Sequence, residues 1–303
     1  MNPIISLIVA NIIWGAAAPI FKYSLTNIPP FTLAFMRFFF AAFLFLPFIK
    51  LVHIKQLTRK DWIEILVASF FGITVNISFF FLGLQKTTSI NAPVIASTGP
   101  LLLFILSVIF LKEKMHRKVF LGMTVAFLGV MVIVFSPLLF EGYRNEEVNM
   151  FQGNLMLLVA TLGSVINPLM LKNVLKRISP ITVTAIGFFF SSFTFLPFML
   201  HEFETWNIGQ LNSAGWVGIL FGVFLSSALA YFLFYDGLSK IAAQEVGVFT
   251  YIDPIVAVLI AIPLLHEFPN LYFILGSILI FGGIYVSEGR IQWHPIRRLK
   301  VKN

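Results

Sequence analysis

The sequence predicts an all-α integral membrane protein: ten transmembrane helices in two inverted five-helix repeats, with both termini cytoplasmic. Three observations predict it. The first is composition. Of 303 residues, 58% are hydrophobic and 11% charged, and the mean hydropathy is +0.92. A soluble globular chain has about 45–50% apolar and about 25% charged residues. Half the usual charge cannot cover a water-facing surface of this size. The second is a series of apolar runs of membrane length, and the third is that the chain repeats itself.

About 20 apolar residues cross a bilayer as a helix. That ruler divides the chain into spans at 3–22, 30–50, 61–84, 88–111, 118–137, 150–171, 180–200, 213–236, 242–265 and 271–289. The breaks carry turn or charge signals, such as Asn27-Ile28-Pro29-Pro30, Lys112 to Lys118, Ser179-Pro180 and Phe268-Pro269-Asn270. A transmembrane barrel needs strands of alternating apolar and polar residues. These runs are continuous, so helices are the spanning solution. Pro3 to Phe21 could imitate a secretory signal, but it lacks basic residues at its start and more spans follow.

Orientation follows from the basic residues. With the N-terminus cytoplasmic, seventeen Lys and Arg fall inside and only Lys22, Lys86 and Arg144 outside, with Arg37 left within a span. That bias is the positive-inside rule. It also accounts for the net charge of +8 without nucleic acid. There are no cysteines, so disulfides, thiolate catalysis and Cys-ligated metals are excluded;.

The internal repeat is the strongest organisational signal. Residues 22–48 lie over 172–198 at a shift of 150, with thirteen of twenty-seven positions identical. Farther on the shift is 154, where Gly83/Gly237, Pro100/Pro254, Glu113/Glu267, Gly122/Gly276 and Gly129/Gly283 coincide. Each copy holds five spans, an odd number, so the second enters the membrane inverted. The expected units are a first repeat at 1–137, an acidic extracytoplasmic linker at 138–149, a second repeat at 150–290 and a basic cytoplasmic tail at 291–303 that faces lipid headgroups.

Short motifs add a family resemblance. "NIIWGAAAPIFK" (11–22), "FMRFFFAAFL" (35–44) and the "GP" and "DP" pairs, each followed by a span-ending Glu, resemble the EamA-like proteins of the drug/metabolite transporter superfamily. The resemblance covers about 5 to 288. It implies a monomeric or homodimeric carrier in the cell membrane. It further implies a cavity between the halves that exports small metabolites, often amino acids or related compounds. Arg37 aligns with Gly187, so the two halves differ there.

Asp253 is the first candidate site residue. An ionised Asp at the bilayer centre costs about 2.5–3.5 kcal/mol on insertion scales, and the other repeat has Gly99 at that place. Pro254 should free a carbonyl one turn back, near Thr250. One reading is a cation, amine or proton site facing a wet cavity; the other is a neutral Asp locking two helices. Arg37 lies roughly 9–10 Å deep at 1.5 Å per residue and keeps its charge. It either binds a substrate carboxylate or pairs with an acid such as Asp253, or it snorkels and serves structure.

Polar stripes supply the other candidates. Asn11 shares a helical face with Gly15, Ala18 and Lys22. Ser227, Tyr231 and Tyr235 share another. Ser164 and Asn167 lie beside Pro168, and Asn76 sits within the third span. Such groups glue helices as often as they line a cavity. Gly218, Gly222, Ser226 and Ala230 form a small-residue row for close packing. Gln244 and Glu245 are expected at the cytoplasmic interface. Glu113 and Glu267 end their spans as structural anchors, where a carboxylate opposes the helix dipole and needs a basic partner; Lys112 or Lys114 could serve Glu113. Prolines repeated between halves suggest shared bends, as hinges or as fixed kinks.

No HExxH, P-loop or GxSxG occurs, so no enzyme, no cofactor and no ATP-driven pump is expected. The reading is a secondary transporter, an exporter of a small metabolite by alternating access, with protons as the candidate coupling ion. Its site is Asp253 with Tyr231, Tyr235, Asn11, Asn76, Asn167 and Arg37. A multi-pass sensor or assembly partner is the alternative.

Overall fold

The computed structural model describes residues 2–49, 54–99, 101–102, 117–141, 144–241 and 246–288. Among these residues every regular element is helical, and eight helices are long and apolar enough to cross a membrane. We number them with the shorter ones in chain order: α1 Pro3–Ser24, α2 Pro30–Phe45, α3 Arg59–Lys86, α4 Asn91–Ala96, α5 Arg117–Ser136, α6 Asn145–Val174, α7 Pro180–Glu202, α8 Ser213–Lys240, α9 Asp253–Leu265 and α10 Leu271–Glu288. Pro100 and residues 103–111 of the fourth expected span, and Glu113 after it, lie outside the described residues. So do Lys112, Lys114, Gln244, Glu245 and the tail at 291–303.

Helix starts follow from local chemistry. Asn2 caps α1 by accepting from the Ile4 amide at 3.0 Å. Pro30 and Pro180, aligned by the repeat, open α2 and α7 in the first turn, where a missing N–H costs nothing;. The free amides of α2 are met by Glu202 at the end of α7, which accepts from Phe31 at 2.9 Å and from Thr32 at 2.6 Å. Asp61 and Thr58 form a reciprocal capping box on α3;. Asp61 also pairs with Arg177 at 2.5 Å, which ties α3 to the α6–α7 connection.

Besides a 3₁₀ turn at Leu46–Phe48 and a π turn at Pro137–Glu141, which end their helices, four segments depart from a regular helix. Phe70–Val75 within α3 and Phe221–Leu229 within α8 are wide, π-helical turns. A tight 3₁₀ turn at Val248–Ile252 precedes α9, and α4 ends in the turn Ser97-Thr98 just before Gly99. The last two coincide with the "DP" and "GP" positions. The ninth span is therefore a broken helix whose second part starts at Asp253. Pro19, Pro168, Pro197 and Pro263, by contrast, sit inside continuous helices.

Glycines let the helices approach. A Cβ on Gly276 would lie 2.4 Å from Ile133 and 2.9 Å from the Gly129 carbonyl, so α5 and α10 meet backbone to backbone. Of the small-residue row in α8, Gly218 packs on Ser24 and Gly222 on Arg37. The basic partner expected for Glu267 is Lys22, at 2.7 Å, and the other Glu267 oxygen accepts from Ser89 N at 2.7 Å and Oγ at 2.6 Å. Lys22 also donates to the Thr87 carbonyl at 2.5 Å. Its sequence counterpart Lys172 donates to the carbonyls of Leu238 and Ile241. Thr87 and Ile241 are related by the same shift of 154 that relates Glu113 to Glu267.

Gly276→Val should overpack the α5–α10 contact and destabilise the protein by about 1–3 kcal/mol. Gly282→Val, where a Cβ meets nothing within 4 Å, should leave the thermal midpoint in detergent unchanged. Equal midpoints for the two variants would refute the glycine contact.

Candidate functional site

A cavity of about 240 Å³ lies among the helices. Four irregular segments reach it: Gly72 from the wide turn of α3, Ser226 from that of α8, Thr250 and Asp253 from the α9 break, and Ala96 and Gly99 from the α4 break. Trp14, Ala17 and Phe21 of α1, Asn76 of α3, Ser164 and Asn167 of α6 and Tyr231 of α8 complete the lining. The lining is mainly apolar with a few convergent polar groups, the usual character of a small-molecule site.

Asp253 occupies the first turn of α9, where the positive end of the helix dipole favours a carboxylate;. Among the described residues no donor reaches it, and its Oδ1 is both occluded and unpartnered. A Cβ on Gly15 would lie 2.8 Å from the Asp253 carbonyl, so α1 presses directly on this break. The Thr250 carbonyl is not free, contrary to the expectation from Pro254. It accepts the Asp253 amide in the tight turn, while the Thr250 hydroxyl donates to Gly247 O at 2.7 Å. The 3₁₀ turn reassigns the bond that proline removes.

Arg37 is 2% exposed. It does not snorkel, and no ion pair joins it to Asp253 or to any other acid among the described residues. Its Nε donates to Ser227 Oγ and its Nη2 to Ser226 Oγ, each at 3.0 Å. The guanidinium carbon stands 4.6 Å from the ring centroids of both Phe21 and Phe38. Each cation–π contact contributes about 0.5–2 kcal/mol. Removing a cation from water costs several kcal/mol, so the two rings offset only part of it.

Side-chain amides knit the walls. Asn76 donates to Ala160 O at 2.8 Å and Asn167 to Ala68 O at 3.2 Å, both across the α3–α6 contact. Tyr235 OH donates to Asn167 Oδ1 at 3.0 Å, which fixes the amide's orientation. Trp14 Nε1 donates to the Ser226 carbonyl inside the wide turn at 3.1 Å. The Trp14 ring meets Tyr231 edge-on with centroids 5.1 Å apart. Among the described residues no three His, Asp or Glu cluster as a metal site would require.

Comparison with known proteins assigns this architecture. The profile of the EamA-like transporter family matches residues 1–135 and 151–288. The chain belongs to the EamA-like transporter family. It is 30% identical over 290 residues to the uncharacterized transporter YetK of Bacillus subtilis (strain 168), covering 95% of this chain and 87% of the relative. It is 32% identical over 273 residues to an uncharacterized transporter of Archaeoglobus fulgidus, covering 90% and 94%. One crystal structure matches with a TM-score of 0.66 at 16% identity, over 100% of this chain and 99% of the other. That likeness speaks to the fold alone.

In this EamA-like chain, five of the seven residues singled out from sequence line the cavity: Asp253, Arg37, Asn76, Asn167 and Tyr231. The other two do not. Tyr235 stands behind Asn167, and Asn11 is wholly buried, its amide donating to Leu7 O at 2.7 Å within its own helix. Sequence reasoning missed Phe21, Phe80, Phe234 and Ser226 as lining residues. Only their position near the wide turns marks them, and hydropathy does not see those turns.

Tyr235→Phe should remove one buried hydrogen bond and release Asn167, at a cost of about 1–3 kcal/mol for the amide oxygen left without a donor. Unfolding in mixed micelles would read this. A variant as stable as the parent would mean the bond does not hold Asn167.

Proposed function

We propose that this EamA-like protein is a secondary transporter of the cytoplasmic membrane that exports a small polar or amphipathic metabolite. Amino acids and related compounds are the first class to test. The single observation that carries this reading is Asp253: a carboxylate without a donor among the described residues, at the break of a discontinuous helix, lining a cavity built from spans of both repeats. Discontinuous helices whose ends face a central site are a recurring device of secondary transporters. In the proposed mechanism Asp253 takes up a proton, or a cationic group of the substrate, on one side and releases it on the other. One repeat rocks against the other around the cavity, and the close glycine contacts, which join spans of the first repeat to spans of the second, are the surfaces along which that motion runs.

The test is transport by purified protein in liposomes against a panel of amino acids and related metabolites, with and without a pH gradient. Saturable uptake that accelerates in counterflow is expected, since a carrier reorients and a channel does not. Asp253→Asn should reduce gradient-driven accumulation by about tenfold or more, the equivalent of 1.4 kcal/mol of coupling. Normal transport by that variant at every pH would remove Asp253 from the mechanism. Absence of flux for the whole panel would count against a transporter of this substrate class.

A further inference from the structure

Arg37 is a buried cation that no acid among the described residues neutralises. Among the described residues, no carboxylate comes within 4.0 Å of it. Other acids are committed elsewhere: Glu202 to the amides of α2, Glu267 to Lys22 and Ser89, Asp61 to Arg177, and Asp236 to Lys240. Asp253 shares the cavity but makes no ion pair with it. The two serine hydroxyls orient the guanidinium without cancelling its charge. The remaining terminal nitrogen, Nη1, has no acceptor among the described residues and is not among the fully occluded unpartnered atoms, and Arg37 lines the cavity.

The scaffold does not need this charge. At the aligned position of the second repeat stands Gly187, packed against Ser69. Around Arg37 the chain invests in position instead. A Cβ on Gly222 would lie 3.1 Å from the Arg37 Cβ, so glycine there admits the arginine stem; Phe21 and Phe38 face the guanidinium, and Ser226 and Ser227 come from a wide turn stabilised by Trp14. A planar fork held rigid with one edge free is complementary to a two-oxygen anion.

We propose that Arg37 is an anion subsite, and that the substrate carries a carboxylate that docks on its free edge while an apolar body lies against Trp14, Phe21 and Phe80. This deepens the transporter reading and rests on it. An amphipathic carboxylate supplies the missing countercharge and fills an aromatic-walled cavity.

Three probes with one carbon skeleton test the charge directly: 3-phenylpropionate, 3-phenylpropionamide and 3-phenylpropylamine. Binding to the full-length protein in detergent is read by tryptophan fluorescence, since Trp14 lines the cavity, and by the thermal midpoint. The propionate should bind saturably, with the amide and the amine weaker by about tenfold or more. Arg37→Gln should abolish the preference for propionate over amide, and Arg37→Lys should retain it in part, because a point charge replaces a fork. If Arg37→Gln does not fold, Ser227→Ala, which releases Nε, should weaken propionate severalfold and leave the amide unchanged.

The proposal is overturned if the amide or the amine binds as well as the propionate, if propionate shows no saturable binding, or if the folded variants keep the preference. Liposome counterflow separates this from the transporter reading. Flux of the neutral or cationic probe would leave a carrier without an anion subsite. Propionate binding without any counterflow would leave the subsite without a carrier.

Discussion

Backbone hydrogen bonding in hydrocarbon is the constraint on which the rest of this structure depends. A helix that faces lipid cannot lose a turn, because no water replaces the missing partner. Each departure from regular helix must therefore be enclosed by protein or face a wet cavity. The two wide turns and the two breaks obey this together, since every one of them lines the same cavity. The cavity and the irregular backbone are one feature seen from two sides.

The side chains around it follow. Trp14 takes the Ser226 carbonyl inside one wide turn. Asn167 takes the Ala68 carbonyl just before the other, and Gly72 lets the Asn167 side chain come that close. Asp253 itself donates its amide to Thr250. Polar residues that would be costly in a lipid-facing helix thus become the means by which a distorted one is tolerated. The π turn of α8 also places Ser226 and Ser227 toward Arg37, so the same distortion positions the buried cation.

Much of this was legible in the sequence. Run length and the duplicated order gave the membrane helices, and the paired prolines marked the starts of α2 and α7 and the break before α9. The wide turns were not legible. Phe70–Val75 and Phe221–Leu229 contain no proline, and a π turn is as apolar as the α turn it replaces. Long-range partners were hidden for a different reason. The Lys22–Glu267 pair and the Arg37–Ser226 bond join residues 245 and 189 positions apart. Sequence identifies a charge that needs a partner but leaves its choice to packing. Asn11 shows the converse: a polar residue on the expected face that does not line the cavity and whose Nδ2 donates one turn back within its own helix.

The two repeats differ most where charge is buried. Scaffold features recur between them: Lys22 and Lys172 both reach carbonyls related by the same shift, and Gly122, Gly129, Gly276 and Gly283 all lie at the α5–α10 contact. Asp253 and Arg37 do not recur; glycine stands in their places at Gly99 and Gly187. Glycine at those positions is compatible with the fold, so the fold alone does not account for either charge. An unpaired ion within a membrane is a standing cost of a few kcal/mol. A cost that one repeat carries and its copy avoids points to a task beyond folding. Both groups line the cavity without an ion-pair partner among the described residues, so that task concerns what enters the cavity.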